Sequence, residues 1–445
     1  MSNIVIQATK HAEPLTSISR RYSLQHLSSR PSTIDVTDSD NPAFNRTPLV
    51  LLIVAALAAA IFYAARSTLG WWGDLGFILS FATAISIVIG EACDPFSDAA
   101  QWVGHQLQLP GSVRGATLDA IASSMPELFT GLFFVMVALS GNMSQAERLM
   151  ASADGYGSTI ATCAGSSIYN LILIPALCAI MVSYTRPNRP TISIEPDVLY
   201  RDGVWTFCVQ AGLLVFLCQR ELTWHMGVIA IVAYFIYVLH LYISTRRFQS
   251  NVASGQLVQE EVEDSAGVLF GRFDIQLNWR SAITILVIAT AVAAAACYFL
   301  VELTNFSAHQ MGVPPFFVAV ILTAAVSSVP DTFLSLNSAK RGDDSGAVSN
   351  VFGSNIFDVC IGMSIPLLVC CYLNDWQPVQ LVEPDESTMA GVVGLRIFLF
   401  VLTSVAMGIM WTRRSISRTS GWVLVGLYGL FTAYAVLGGL GIIAV

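Results

Sequence analysis

Two short patterns in this 445-residue chain place carboxylates among hydroxyl and amide oxygens in apolar surroundings, and each pattern occurs twice. Ser123-Ser124-Met125-Pro126-Glu127-Leu128-Phe129 returns as Ser327-Ser328-Val329-Pro330-Asp331-Thr332-Phe333. A second pattern follows each copy: Gly165-Ser166-Ser167-Ile168-Tyr169-Asn170 is echoed by Gly353-Ser354-Asn355-Ile356-Phe357-Asp358. Helical spacing puts Ser166 and Asn170 on one face, and Ser354 and Asp358 on another. A charged carboxylate deep in an apolar span costs several kcal/mol, so Glu127 and Asp331 should be paired, protonated or ion-bound. Oxygen-only ligands suit calcium and sodium, whereas no local cysteine or histidine cluster invites zinc or copper.

The prolines should distort their helices, because proline lacks an N–H and clashes with the preceding turn. Backbone carbonyls in the Ala120 and Ala324 regions are then expected to be freed, and in hydrocarbon they need a cation, a water or another donor. The serine hydroxyls can add oxygens to a site or bond back to their own helices.

These motifs need membrane helices to hold them. Of the residues, 54% are apolar and only 12% charged, and the mean hydropathy is +0.64, a composition suited to lipid rather than water. Apolar runs predict eleven spans, near 47–65, 74–103, 112–140, 156–181, 202–219, 223–243, 279–301, 312–338, 346–373, 390–411 and 419–442. With the N-terminus cytoplasmic and the C-terminus outside, 18 of the 22 Lys and Arg residues fall on the cytoplasmic side, three fall opposite and Arg396 lies within a span, in accord with the positive-inside bias. The net charge of −8 with only two lysines argues against a nucleic-acid partner.

The segment before residue 47 reads as a disordered cytoplasmic tail, and 244–278 as the largest cytoplasmic loop, with an acidic run at Glu260, Glu261, Glu263 and Asp264. That run reads as a solvated surface, a weak calcium site being the sharper alternative. The loop 374–389, on the other side, is acidic too, through Asp375, Glu383, Asp385 and Glu386. Asn142-Met-Ser and Asn305-Phe-Ser match the glycosylation acceptor pattern and fall outside. Nine cysteines show no CxxC pair and read as structural. Asp119, one turn before Ser123, either adds a carboxylate or is hydrated or helix-bonded. Glu91, Asp94 and Asp98 either line a cation path or are solvated at the interface.

The first Ser-Ser-x-Pro-acid motif lies in the third span and its partner in the eighth, which run in opposite directions. The two units are therefore inverted, an arrangement common in secondary transporters with irregular helices meeting at mid-membrane.

Together the motif pairs resemble the calcium/cation antiporter superfamily, the sodium/calcium exchangers and their potassium-dependent relatives, over roughly residues 91–182 and 302–373. The resemblance implies an all-α polytopic protein, with two inverted five-helix repeats (74–243 and 279–442) forming a ten-helix core after one extra N-terminal helix (47–65). It implies that Glu127 and Asp331 are the central ligands for transported calcium or sodium. Ser123, Ser124, Ser327 and Ser328 would supply hydroxyls, Ala120 and Ala324 carbonyls, and Ser166, Asn170, Ser354 and Asp358 the flanking ligands. An acid at position 358 resembles the potassium-dependent branch, so potassium is a further candidate ion.

The sequence departs from the family at Ala122 and Val326, where glycine is usual, and at Ser167, where asparagine is favoured. Residues alone leave open calcium/proton exchange, exchange of another divalent cation, or a membrane ion sensor that does not transport. Nothing in the chain resembles a Ser-His or Cys-His catalytic constellation. The expected partners are inorganic cations and the lipid bilayer.

Overall fold

Where a backbone crosses hydrocarbon it must satisfy its own N–H and C=O groups, and the apolar runs of this chain do so as helices. The structure, a computed structural model, describes residues 46–107, 109, 115–187, 189–252, 264–381 and 391–443. The helices are α1 (Arg46–Leu69), α2 (Trp71–Gln106), α3 (Ala120–Ala138), α4 (Gln145–Ile168), α5 (Ile174–Thr185), α6 (Val204–Leu217), α7 (Trp224–Val252) and α8 (Trp279–Met311). There follow α9 (Pro315–Ser327) and α10 (Val329–Arg341), which form one pair bent by 42°. The chain ends with α11 (Asp344–Phe357), α12 (Ser364–Leu373), α13 (Val392–Arg413) and α14 (Arg418–Gly439).

Among the described residues, nine helices are long and apolar enough to cross a membrane, ten with the bent pair. The remaining expected span, 202–219, corresponds to α6, whose 14 residues continue a helical stretch begun at Pro196. The acidic residues Glu260, Glu261, Glu263, Glu383, Asp385 and Glu386, and the tail up to residue 45, lie outside the described residues.

Helical irregularities mark both repeats. Widened π turns occupy Gly115–Asp119 before α3 and Ala319–Thr323 within α9, offset by the same interval as Glu127 and Asp331. A second pair, Tyr169–Leu173 and Asp358–Gly362, interrupts the helices that carry Asn170 and Asp358. π turns concentrate at functional sites because they shift the register of the backbone donors. The two prolines, expected to act alike, differ. Pro330 follows a non-helical break at Ser328, whereas Pro126 lies inside unbroken α3, and the distortion of that helix sits earlier, in its π turn.

The helices α3–α7 and α9–α14 share one large apolar core. Along the flank, α2 and α8 pair through a separate cluster that includes Ile85, Ile89, Cys297 and Leu300. Two short antiparallel pairs join loops of the two halves: β1 (Ile192–Ser193) with β6 (Ser415–Ile416), and β2 (Glu221–Leu222) with β5 (Val379–Gln380). Within the loop 244–278, β3 (Ser265–Val268) and β4 (Phe273–Gln276) form a hairpin. It packs Ala266 against Ala99 and Trp102 of α2 and Ala282 of α8, and the Phe270 N–H donates to Glu91 at 3.1 Å.

Asn142 is exposed before α4, but Asn305 lies inside α8, and the Ser307 of its acceptor pattern is buried and donates to the Leu303 carbonyl. The second pattern is therefore not displayed as a loop. All nine cysteines are unpaired, seven of them buried.

Gly165 is required by close helix crossing. A Cβ there would press on the Val320 carbonyl and approach the Ala324 Cβ at 2.9 Å, both on α9, so backbone would have to move. Gly165→Ala should destabilise the protein by about 1–3 kcal/mol, read as a lower thermal unfolding midpoint in detergent. Gly90→Ala, where an added methyl meets nothing within 4 Å, should not. Equal midpoints for the two variants would contradict this packing.

Candidate cation site

The break in α9/α10 and the π turns bring both copies of both motifs to one point. Glu127, Asp331 and Asp358 are each fully buried, as are Ser124, Ser166, Ser327, Ser328, Ser354 and Asn170, with Ser123 nearly so. The contacts run between halves as well as within them. Ser354 Oγ donates to Asp331 Oδ1 at 2.6 Å, and Asn170 Nδ2 to Asp331 Oδ2 at 3.1 Å. Ser123 Oγ lies 3.4 Å from Ser354 Oγ. Ser328 Oγ approaches Glu127 Oε1 at 3.2 Å. Ser327 lies beside Glu127 and Ser124 beside Asp358, although Ser124 Oγ makes no hydrogen bond.

Ser166 is the pivot. Its Oγ is 3.1 Å from Glu127 Oε1, 2.9 Å from Asp358 Oδ2 and 2.8 Å from Ser328 Oγ. A hydroxyl has one proton to donate, so it cannot satisfy both carboxylates at once. In the symmetric position, Asn170 supplies an N–H to Asp331; Asp358, which replaces it in the second repeat, supplies none to Glu127. One repeat thus has a neutral donor where the other has a third acid.

The surplus of acceptors is unanswered by protein. Among the described residues no Lys, Arg or His forms an ion pair with any of the three acids. Glu127 Oε2, Asp358 Oδ1, Asn170 Oδ1 and Ser124 Oγ are buried with no hydrogen-bond partner. Leaving one such atom unsatisfied costs about 1–3 kcal/mol, more when it is charged. A hard cation is the partner this oxygen set fits, since carboxylate, amide and hydroxyl oxygens are the ligands of calcium and sodium. Among the described residues no group of three or more His, Cys, Asp or Glu forms a metal cluster, so a cation here would take mixed ligands.

Both carbonyl candidates have local donors. The Ala324 carbonyl accepts the Ser328 N–H at 3.2 Å and the Ser327 hydroxyl at 3.3 Å, while Ser123 Oγ lies 3.5 Å from the Ala120 carbonyl. A proline deprives the carbonyl four residues earlier, which adds Ala122 and Val326 to the carbonyls of this region.

Asp119 is drawn away from the centre: Ser97 Oγ and Gln101 Nε2 of α2 donate to its Oδ1 at 2.7 and 2.8 Å. Its counterpart Thr323 meets Thr304 of α8, Oγ1 to Oγ1, at 2.6 Å. Each motif-bearing segment is thereby tied to one of the two long flanking helices. The sequence reading missed Asn350 and Thr162, buried one turn before Ser354 and Ser166 on the same polar faces. Asn350 Nδ2 donates to Ser335 at 3.0 Å and lies 3.4 Å from the Asp331 carbonyl. Extending each four-residue spacing one step back would have found both.

Residues 76–243 and 281–437 match the family described as sodium/calcium exchanger protein. The human sodium/potassium/calcium exchanger 5 is 23% identical, the match covering 69% of this chain and 74% of that protein. Human sodium/potassium/calcium exchanger 2 is 31% identical over 140 residues, which is 32% of this chain and only 20% of that relative's length. Among solved structures, the H+/Ca2+ exchanger CAX superposes with a TM-score of 0.57 at 14% identity, covering 88% of this chain and 94% of that one. Native YfkE gives 0.56 at 15%, covering 87% and 99%. Those two likenesses speak to the fold, and the family match spans both repeats. The chain belongs to the sodium/calcium exchanger family of membrane cation antiporters.

Proposed function

We propose that this protein exchanges calcium for sodium by alternating access at the Glu127–Asp331–Asp358 site, with potassium as a further coupling ion. The observation that carries the reading is three fully buried carboxylates with no cationic side chain paired to them among the described residues, two of them sharing the Ser166 hydroxyl. A divalent cation or several monovalent ones would relieve that excess of negative charge. Glu127 and Asp331 are the central ligands in this reading. Ser123, Ser124, Ser166, Asn170, Ser327, Ser328, Ser354 and Asp358 complete the oxygen set, and Ala120 and Ala324 remain carbonyl candidates.

Coupling follows from charge. Calcium and sodium compete for the same oxygens, and a conformational change that carries an uncompensated carboxylate through a dry intermediate is disfavoured by several kcal/mol. The protein then crosses between inward-open and outward-open states chiefly when loaded. Two halves, 74–243 and 279–442, would form the exchanger core behind the extra helix 47–65, with 244–278 as a cytoplasmic loop. The N-terminus is cytoplasmic and the C-terminus outside in this reading. The basic-residue bias supports it, and β1–β6 and β2–β5 each join loops that this topology puts on one side.

Calcium/proton exchange is the second reading, because a proton held between Glu127 and Asp358 would also relieve the pair. Proteoliposomes loaded with sodium should take up external calcium at fixed pH, and potassium should raise the rate. Uptake that ignores sodium and follows a pH gradient would overturn the first reading in favour of the second. Glu127→Gln and Asp331→Asn should lower uptake by about two orders of magnitude or more, the scale of losing one partner in a buried charge cluster, while the protein stays folded. Robust exchange by both variants would remove these acids from the site. Asp358→Asn should abolish the potassium response, and Asp119→Asn should leave uptake within about twofold.

A further inference from the structure

Away from the cation site, the flank formed by α2 and α8 carries two adjoining hollows whose chemistry differs. The first, about 330 Å3, is walled by Phe81, Ala84, Ile85 and Val88 of α2 and by Ala295 and Ala296 of α8, where alanines leave the two helices without bulk to fill the seam. The second, about 390 Å3, shares Phe81 with it and holds Arg66 of α1 and Glu302 of α8. It lies one turn from the α1–α2 corner, where exposed Trp71 and Trp72 stack edge to face. Paired tryptophans of this kind mark a membrane–water boundary.

Opposite charges stand in that upper hollow without pairing to each other. The Arg66 guanidinium rests over the Tyr63 ring at 4.5 Å and lies 5.9 Å from the Phe306 ring centre. Among the described residues it has no carboxylate within 4.0 Å and no hydrogen-bond acceptor. Stacking leaves the in-plane N–H fork free, the geometry that suits a phosphate. Glu302 is exposed, with the Tyr298 hydroxyl beside it one turn earlier. From Phe77 to Val88 the seam descends along α2 for about 16 Å, at 1.5 Å per residue. That is about half the hydrocarbon thickness, the depth of one leaflet.

We propose that this seam is a binding site for a single zwitterionic glycerophospholipid, its phosphate on Arg66, its ammonium on Glu302 and one acyl chain in the trough between α2 and α8. A simply apolar filler would leave both charges unanswered at the boundary, and an anionic lipid would place its negative charge beside Glu302 without return. The bound lipid would lie along the two helices that contact Asp119 and Thr323, and so beside the part of the protein that links the flank to the motif segments.

The test is native mass spectrometry of the full-length protein in detergent, titrated with palmitoyl-oleoyl phosphatidylethanolamine or with the matching phosphatidylglycerol. One phosphatidylethanolamine should be retained per chain, at lower concentration than phosphatidylglycerol requires. Arg66→Gln should weaken retention of both lipids about tenfold, the loss of one charge-assisted contact. Glu302→Gln should weaken phosphatidylethanolamine about tenfold and leave phosphatidylglycerol unchanged or tighter. Ala295→Trp, filling the trough, should weaken both; if that variant does not accumulate, the two head-group variants decide the matter alone. Equal retention by wild type and variants, or a Glu302→Gln variant that treats both lipids alike, would overturn the proposal.

Discussion

The structure is organised around a shortage of protons and positive charge at its centre. Three carboxylates are buried among hydroxyls and one amide, and the hydroxyl nearest two of them can donate to one alone. No salt bridge relieves this among the described residues. A protein interior does not keep such an arrangement for stability, because burying charges costs more than their contacts return unless each is matched. It is consistent with a site whose missing partner arrives from solution.

The scaffold serves that shortage by symmetry. Two equivalent π turns precede the acid-bearing helices and two more interrupt the helices with Asn170 and Asp358, so each repeat delivers oxygens from irregular backbone rather than from smooth rods. The symmetry is broken where the chemistry differs: Asn170 donates to Asp331, while its counterpart Asp358 competes with Glu127 for Ser166. The irregularity differs too: the second repeat breaks and bends at Ser328, whereas in the first the π turn Gly115–Asp119 leads into an unbroken helix. Close packing at Gly165 holds α4 against α9, which keeps Ser166 within reach of Ser328 although the two are far apart in sequence. The flanking pair α2 and α8 has its own apolar cluster, which takes in Val326 and packs against Phe129 and Phe133 of the motif segments, and it adds polar ties to them through Asp119 and Thr323.

Much of this was legible in the chain. Glu127 and Asp331 announce themselves because a repeated carboxylate in an apolar run has few bland explanations, and Asp358 follows from its four-residue spacing to Ser354. The spans were readable from hydropathy, 202–219 among them; what hydropathy does not mark there is the π turn Leu199–Gly203 that precedes the helix Val204–Leu217. What sequence could not supply are contacts made across long separations. The competition at Ser166 depends on Ser328 and Asp358, Asp119 depends on Ser97 and Gln101, and the hairpin on Glu91 depends on the loop folding back. Nor does local sequence tell that Pro126 is absorbed by an unbroken helix while Pro330 follows a break, since the same Ser-Ser-x-Pro-acid string encodes both.

The central claim is that one carboxylate cluster serves calcium and sodium in turn. Equilibrium binding of radioactive calcium to the purified protein, at increasing sodium and constant ionic strength and pH, tests it most directly. The account predicts one class of calcium site per chain that sodium displaces steeply and completely, and that Glu127→Gln eliminates. Calcium that stays bound in saturating sodium, or binds equally well to the Glu127→Gln variant, would contradict it.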